Sequence, residues 1–280
     1  MGNIEFGVIE DRHDPEMMGR YRVRVIGVHS PALNDIKTSD LPWATVLMPT
    51  TGASVSGIGS TAALVEGSWV GVVFLDEYMQ DPIIIGSLPG RPSERRDVTK
   101  GFADPNGVYP KYLDEPDVNK LARGTNTIVD NDAAPASAYA AVYPYNKVME
   151  TESGHIVEFD DTKDAERIRI VHKSGTSVEM FPNGDIVSRN KNKWQMTTGN
   201  EECRISGTLN IVVEGNAVIE SPLTTIKGDL AVEGEVTVTK TIIATDEITG
   251  KGIALSTHKH TDTAGLGAGI TTGPNALVVP

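Results

Sequence analysis

Along residues 4–90, apolar and polar positions alternate in short runs, and Gly or Pro closes each run. YRVRVIGV (Tyr21–Val28) sets basic against apolar side chains at period two, which predicts a strand with one buried and one wet face. WATVLMP, SWVGVVFLD and DPIIIGSLPG are further runs of the same kind. Five or so short strands within roughly 90 residues suit a small barrel, for which the OB-fold is the commonest solution. Residues 1–95 are assigned to it.

The pattern then stops. Residues 96–145, from DVTKGFADPNGVYPKYLDEPDVNK to GTNTIVDNDAAPASAYAA, are rich in Pro, Asp, Asn and Ala and carry no period. They read as a linker with a few anchoring aromatics. Alternation resumes over 146–206 in HIVEFDD, RIRIVHKSG, SVEMFPNGD and IVSRNKNKWQMTT, each run ending in Asp, Gly or Asn turn chemistry. This predicts a β-meander with little core of its own.

From Gly207 the chain becomes repetitive. GTLNIVVE and GNAVIESP are octads that open with Gly, and the alternation continues through TIKGDLAVEGEVTVTKTIIATDEITGKG. Leu209–Lys251 contains no aromatic residue and only Pro222 among prolines. Short strands that are apolar on one side cannot bury that side alone, and stacking identical strips about an axis solves the problem. Residues 207–252 are therefore expected to wind with two further copies into a homotrimeric, triple-stranded β-helix or β-prism, with 253–280 as its tip. The fold class expected for the whole chain is all-β.

Composition narrows the function classes. A net charge of −13 argues against a nucleic-acid face, which needs clustered Lys and Arg. Cys203 is the only cysteine, so no intrachain disulfide forms, and it is expected to be a small buried apolar side chain. MGNIEFGVIEDR has no basic segment followed by an apolar one, and Phe6 stands where a myristoylation signal needs Ser or Thr. No apolar run approaches the roughly 20 residues that span a bilayer. Synthesis and folding in a cytosol are expected.

Several long motifs resemble one family. FGVIEDRHDPEMMGRYRVRVIGVHS, LPWATVLMPTTGASVSGIGS, FLDEYMQDPIIIGSLPG and GFADPNGVYP resemble the OB domain and following segment of the central spike proteins of contractile-tailed phages of the T-even type. YPYNKVMETESGHIVEFDDTKDAERIRIVHKSGTSVEMFPNGDIVSR resembles the start of the C-terminal β-domain of those spikes, and a shorter SGHIVEFDDT motif recurs in type VI secretion spikes. The likeness covers Phe6–Arg189 directly and the octads by texture. It implies a baseplate component of the virion tail, attached to a hub protein through its OB domain and driven into the host envelope on contraction. No nucleic-acid partner and no small-molecule substrate are expected. The T-even spike carries a lysozyme domain between its OB and β parts; here Asn131–Ala141 stands in that place, so the chain is expected not to be an enzyme.

LSTHKHTD (Leu255–Asp262) resembles the HxH tip of contractile-tail spikes, where an iron ion sits on the threefold axis. In extended backbone, residues two apart project to the same side, so His258 and His260 face together and Lys259 faces away. Three copies supply six imidazole nitrogens in two layers, an octahedron that suits Fe(II) and suits four-coordinate Zn²⁺ less well. HxH pairs also arise by chance on polar tails. His258 and His260 are the candidate metal ligands, with one Fe(II) per trimer.

Other candidates read as structural. Glu152, Glu158, Asp160 and Asp161 could imitate a hydrolase acid/base pair, but Asp160-Asp161-Thr162-Lys163 is turn chemistry. His155 beside a strand is a packing histidine, and SGIGS (Ser56–Ser60) fits no phosphate loop or nucleophile elbow. Two rival readings stand beside the central spike: a type VI secretion-like spike, and a tail-associated envelope hydrolase.

Overall fold

Strand β1 (Glu5–Asp11) pairs antiparallel with β2 (Tyr21–Val25) and with β4 (Trp69–Phe74). Strand β3 (Trp43–Val46) joins β2 and runs parallel to β5 (Pro82–Ser87), which returns antiparallel to β4. The order β1-β2-β3-β5-β4 closes an OB-type barrel in this computed structural model, which describes residues 3–125, 135–250 and 253–254. Its interior holds Ile9, Tyr21, Val23, Val25, Ala44, Val70, Val72 and Ile84, all buried. These are the apolar members of the period-two runs, so alternation alone selects the core. Gly7 marks the closest approach of β1 to β2. A Cβ there would lie 2.6 Å from Val23 Cγ1 and 2.8 Å from the Arg24 carbonyl oxygen.

The exterior of β2 departs from expectation. Alternation predicts that its arginines face water, yet Arg24 is fully buried. Its Nε and Nη2 donate to Glu10 at 2.7 and 3.1 Å, and its remaining N–H groups reach the carbonyls of Ser30 (2.6 Å) and Ile36 (2.9 Å). Glu10 also accepts from Thr38 Oγ1 at 2.8 Å and from the Phe102 amide at 2.7 Å. A charge leaves water only when its hydrogen-bonding capacity is met, and here a carboxylate and two carbonyls meet it.

That second cover comes from the connecting segment. The Gly101 amide donates to Pro31 O at 2.8 Å, and Ala103 and Leu121 are buried. The Asp104 carboxylate accepts from the amides of Asn106, Val108 and Tyr109, which curls the chain into a fixed loop. Much of what reads as linker is thus packed on the barrel.

A second sheet follows, ordered β10-β9-β8-β7-β6, from β6 (Asn146–Glu150), β7 (Ile156–Asp160), β8 (Arg167–Val171), β9 (Ser177–Met180) and β10 (Ile186–Arg189). All of its pairings are antiparallel. Barrel, connecting segment and sheet form one unit, Met1–Asn200, and Glu201–Pro280 forms another. In the second unit every residue from 201 to 250 is exposed, and the one described strand pair is β11 (Thr249–Gly250) with β12 (Ile253–Ala254). Among the described residues no helix is long and apolar enough to cross a membrane.

Candidate assembly surface

Strands β7, β8 and β9 read IVEFD, RIRIV and SVEM, so each carries charged or polar side chains on one face and apolar ones on the other. The polar face is the buried one. Glu158 stands opposite Arg169, which stands opposite Glu179, so unlike charges meet across adjacent strands. Arg167, fully buried, donates from Nη2 to Glu158 and from Nη1 to Glu179 at 3.1 Å. Arg189 Nη1 reaches the second Glu179 oxygen at 3.2 Å.

The chain ahead of β6 lies over this layer. Ser137 Oγ donates to Glu179 at 2.7 Å, the Ala138 amide adds a bond at 3.2 Å, and the Tyr139 ring centroid lies 5.1 Å from the Arg167 guanidinium. Pro135 O accepts from Arg189 Nη2 at 2.6 Å. Burial pushes the Glu158 carboxyl up, and Arg167 and Arg169 offset that only in part. Burial acts the same way on Glu179, but bonds from Ser137 and Arg167 outweigh it and hold that carboxyl below its usual range. Removing any member strands a charge in a low-dielectric layer, so the network fixes which way the sheet faces.

The other face is therefore apolar and exposed. Phe159, Ile168, Met180 and Ile186 lie in one cross-strand row, and Met149, Val157, Ile170 and Val178 in the next. Phe159 is 52%, Ile170 56% and Ile186 65% exposed, values that belong to loops rather than to the centre of a sheet. In the second unit Ile211, Val212, Val218, Ile219, Leu223, Leu230, Val236 and Ile243 are likewise exposed. An exposed apolar sheet face of this kind marks an interaction site.

A polar seam ties barrel to sheet within the first unit. Arg12 donates to both oxygens of Glu152, at 2.6 and 3.2 Å, and Tyr109 Oη donates to Glu152 at 2.9 Å. The Arg12 bond, then the Tyr109 bond, hold the Glu152 carboxyl below its ordinary range. Burial, then the bond to Glu152, push the Tyr109 hydroxyl up to about 12.

His258 and His260 lie outside the described residues. The four weighed carboxylates are not gathered as a pair in a cleft: Glu158 is in the buried network, Asp160 accepts from the Thr162 amide at 3.0 Å, Asp161 pairs with Lys147, and Glu152 is in the seam. His155 packs its ring 4.6 Å from that of His172. Cys203 is exposed, which corrects the expectation of burial, since every residue from 201 to 250 is exposed. Trp43 carries the Arg22 guanidinium 4.4 Å from its ring centroid, and Trp69 carries Arg96 at 4.7 Å. Sequence reasoning missed the exposed apolar sheet face. Period two was visible in β7–β9, but it does not say which side is covered.

The model of the Gp5 N-terminal OB domain matches residues 27–168, from just after β2 into β8. Protein Gp5 of Vibrio phage KVP40 is 35% identical over 265 aligned residues, taking in 75% of this chain and 63% of that protein. The pre-baseplate central spike protein Gp5 of Enterobacteria phage T4 is 42% identical over 133 residues, covering 45% of this chain and 23% of that protein. The chain thus spans only part of the length of either relative.

Proposed function

Because the chain belongs to the family of the Gp5 N-terminal OB domain, we propose that it is the central spike of a contractile-tail baseplate, acting as a homotrimer in the virion. The name of the T4 relative supports the baseplate role. The observation that carries the reading is the exposed apolar surface: one face of the β6–β10 sheet and the valines and isoleucines of residues 201–250. Three copies of a strip that is apolar on one side bury it against one another, which gives the triple-stranded β-helix expected for 207–252.

The barrel would seat the trimer on a separate hub protein and the rod would project from it. Contraction then drives the rod into the host envelope. The work is mechanical rather than hydrolytic, because backbone hydrogen bonds between chains carry load along the rod without a reacting group. At the tip, His258 and His260 from three chains would supply six nitrogens to one Fe(II), tying the chain ends together and coupling metal binding to folding of the tip.

Sedimentation equilibrium tests the assembly. The expected mass is three times 30.0 kDa, and a folded monomer at micromolar concentration would overturn the reading. Elemental analysis tests the tip. Iron is expected to fall by one ion per three chains on His260→Ala, and unchanged iron would remove the site while leaving the trimer intact.

A further inference from the structure

The end of β1 carries a group of side chains that the spike reading does not use. Asp11, His13 and Glu66 each offer a ligand atom, and the three atoms lie within 4.8 Å of one another. His13 Nδ1 is 3.1 Å from Asp11 Oδ1 and 3.8 Å from Glu66 Oε1. Neighbouring ligands around a divalent ion with bonds of about 2.1 Å sit roughly 3.0–3.4 Å apart, so small side-chain movements close the set.

The second oxygen of each carboxylate is turned to an arginine. Glu66 Oε2 meets Arg12 Nε at 3.1 Å, and Asp11 Oδ2 lies 3.7 Å from Arg22 Nε. Outer partners of this kind orient ligating carboxylates. The Glu66 side chain is only 6% exposed, and its Oε1 points at His13 without a hydrogen bond of normal length.

The backbone holds the group ready. The Gly67 amide donates to Ile9 O at 2.8 Å and the Ile9 amide to Ser68 O at 3.0 Å, which clips the turn bearing Glu66 onto β1. The register between β1 and β2 shifts between Ile9 and Asp11, and such a bulge re-aims the side chains beyond it. Asp11 Oδ1 also accepts from the His13 amide at 2.8 Å, so these two ligands are already paired. The carboxylates of Asp11, Glu66 and Glu152 face the guanidiniums of Arg12 and Arg22. Three negative charges against two positive ones favour an arriving cation.

We propose that Asp11, His13 and Glu66 bind one divalent transition-metal ion per chain. Two carboxylate oxygens and one imidazole nitrogen suit Mn²⁺, Fe²⁺ or Zn²⁺ better than Ca²⁺, which takes oxygen ligands. His13 is 78% exposed, so water completes the shell. Occupied, the site pins the end of β1 to the turn before β4. It also sets the Glu66–Arg12 pair from which Arg12 reaches Glu152.

The test uses the full chain carrying His258→Ala and His260→Ala, so that tip imidazoles contribute nothing. Mn²⁺ is titrated and the free ion read by electron paramagnetic resonance, with Zn²⁺ retained after gel filtration measured by elemental analysis. Saturable uptake of one ion per chain is expected, with a higher melting temperature. Adding His13→Ala, or separately Glu66→Gln, should weaken binding more than about tenfold, since even outer-shell partners cost that much. His13 is exposed, so its variant keeps the fold, which circular dichroism checks. Failure of the parent to take up either ion, or unchanged binding by folded His13→Ala, overturns the site. Neither result bears on the trimer, whose mass is measured separately.

Discussion

Glu10→Ala is the sharpest probe of how the first unit is held together. The carboxylate accepts four bonds, from Arg24 Nε, Arg24 Nη2, Thr38 Oγ1 and the Phe102 amide. Both Glu10 and Arg24 have side chains at most 1% exposed. Truncation leaves a buried guanidinium with two carbonyls and no counter-ion, a loss of about 3–5 kcal/mol. The orphaned Phe102 amide and Thr38 hydroxyl add to this, though not independently, because they share one partner. Taking about 4 kcal/mol for a unit of this size, the melting temperature should fall by about 8–16 °C. Circular dichroism melts of Glu10→Ala against the exposed-site control Glu94→Ala measure it. The double variant Glu10→Leu/Arg24→Met, which removes both charges, should recover much of the loss. Trypsin supplies a second reading: the Phe102 amide is anchored to Glu10, so the variant should be cut faster after Lys100. A melt within about 2 °C of the control, with unchanged cleavage, would mean that the pair is wet and the connecting segment is not packed on the barrel.

Further outcomes follow from the same contacts. Ile170→Asp puts a charge in the middle of the exposed apolar sheet face, so it should leave the first unit folded but lower the sedimenting mass; an intact trimer would show that this face is not buried by assembly. Gly101→Ala sets a methyl 2.3 Å from Arg24 Nε, whose side chain is locked by Glu10, and should lower the melting temperature measurably where Gly199→Ala, with open space, does not. Acid should destabilise the first unit. The carboxyls of Glu152, Asp14 and Glu179 titrate below their ordinary ranges in the folded chain, so the unfolded chain takes up protons first, near pH 4. Stability is then complete at neutral pH and lost as pH falls through the folded values, with Glu158, shifted upward by burial, opposing in part. A melting temperature that rises between pH 5 and pH 3 would contradict this.

The barrel was legible in the sequence because its strands follow one rule: Val23 and Val25, Val70 and Val72 alternate inward, and Gly or Pro ends each run. Period two, however, says only that two faces differ. In β2 it separates Val23 and Val25 from Arg22 and Arg24, yet Arg24 is as buried as the valines because Glu10 and the Phe102 segment close over it. Part of that cover is Phe102, bonded to Glu10 across 92 positions of chain, which no local pattern reports. The distal octads pose a different question. Their repeat leads one to expect strips that a single chain cannot shelter; residues 201–250 are exposed, and what covers them lies outside one chain's local pattern.

The β6–β10 sheet shows what decides between the two faces of such a strand. RIRIV offers Arg167 and Arg169 on one side and Ile168 and Ile170 on the other, and hydrophobicity alone would bury the isoleucines. What reverses the choice is register. Glu158, Arg169 and Glu179 fall opposite one another on three successive strands, and Arg167 spans the same two glutamates, so the charges neutralise one another inside the chain. The isoleucines meet only other apolar side chains, and any second copy can supply those. Charged pairs need defined geometry, which the register of this chain supplies; apolar rows need only contact and stay exposed here. A single chain can therefore pair its charged layer internally and still leave the opposite face of the sheet apolar and exposed.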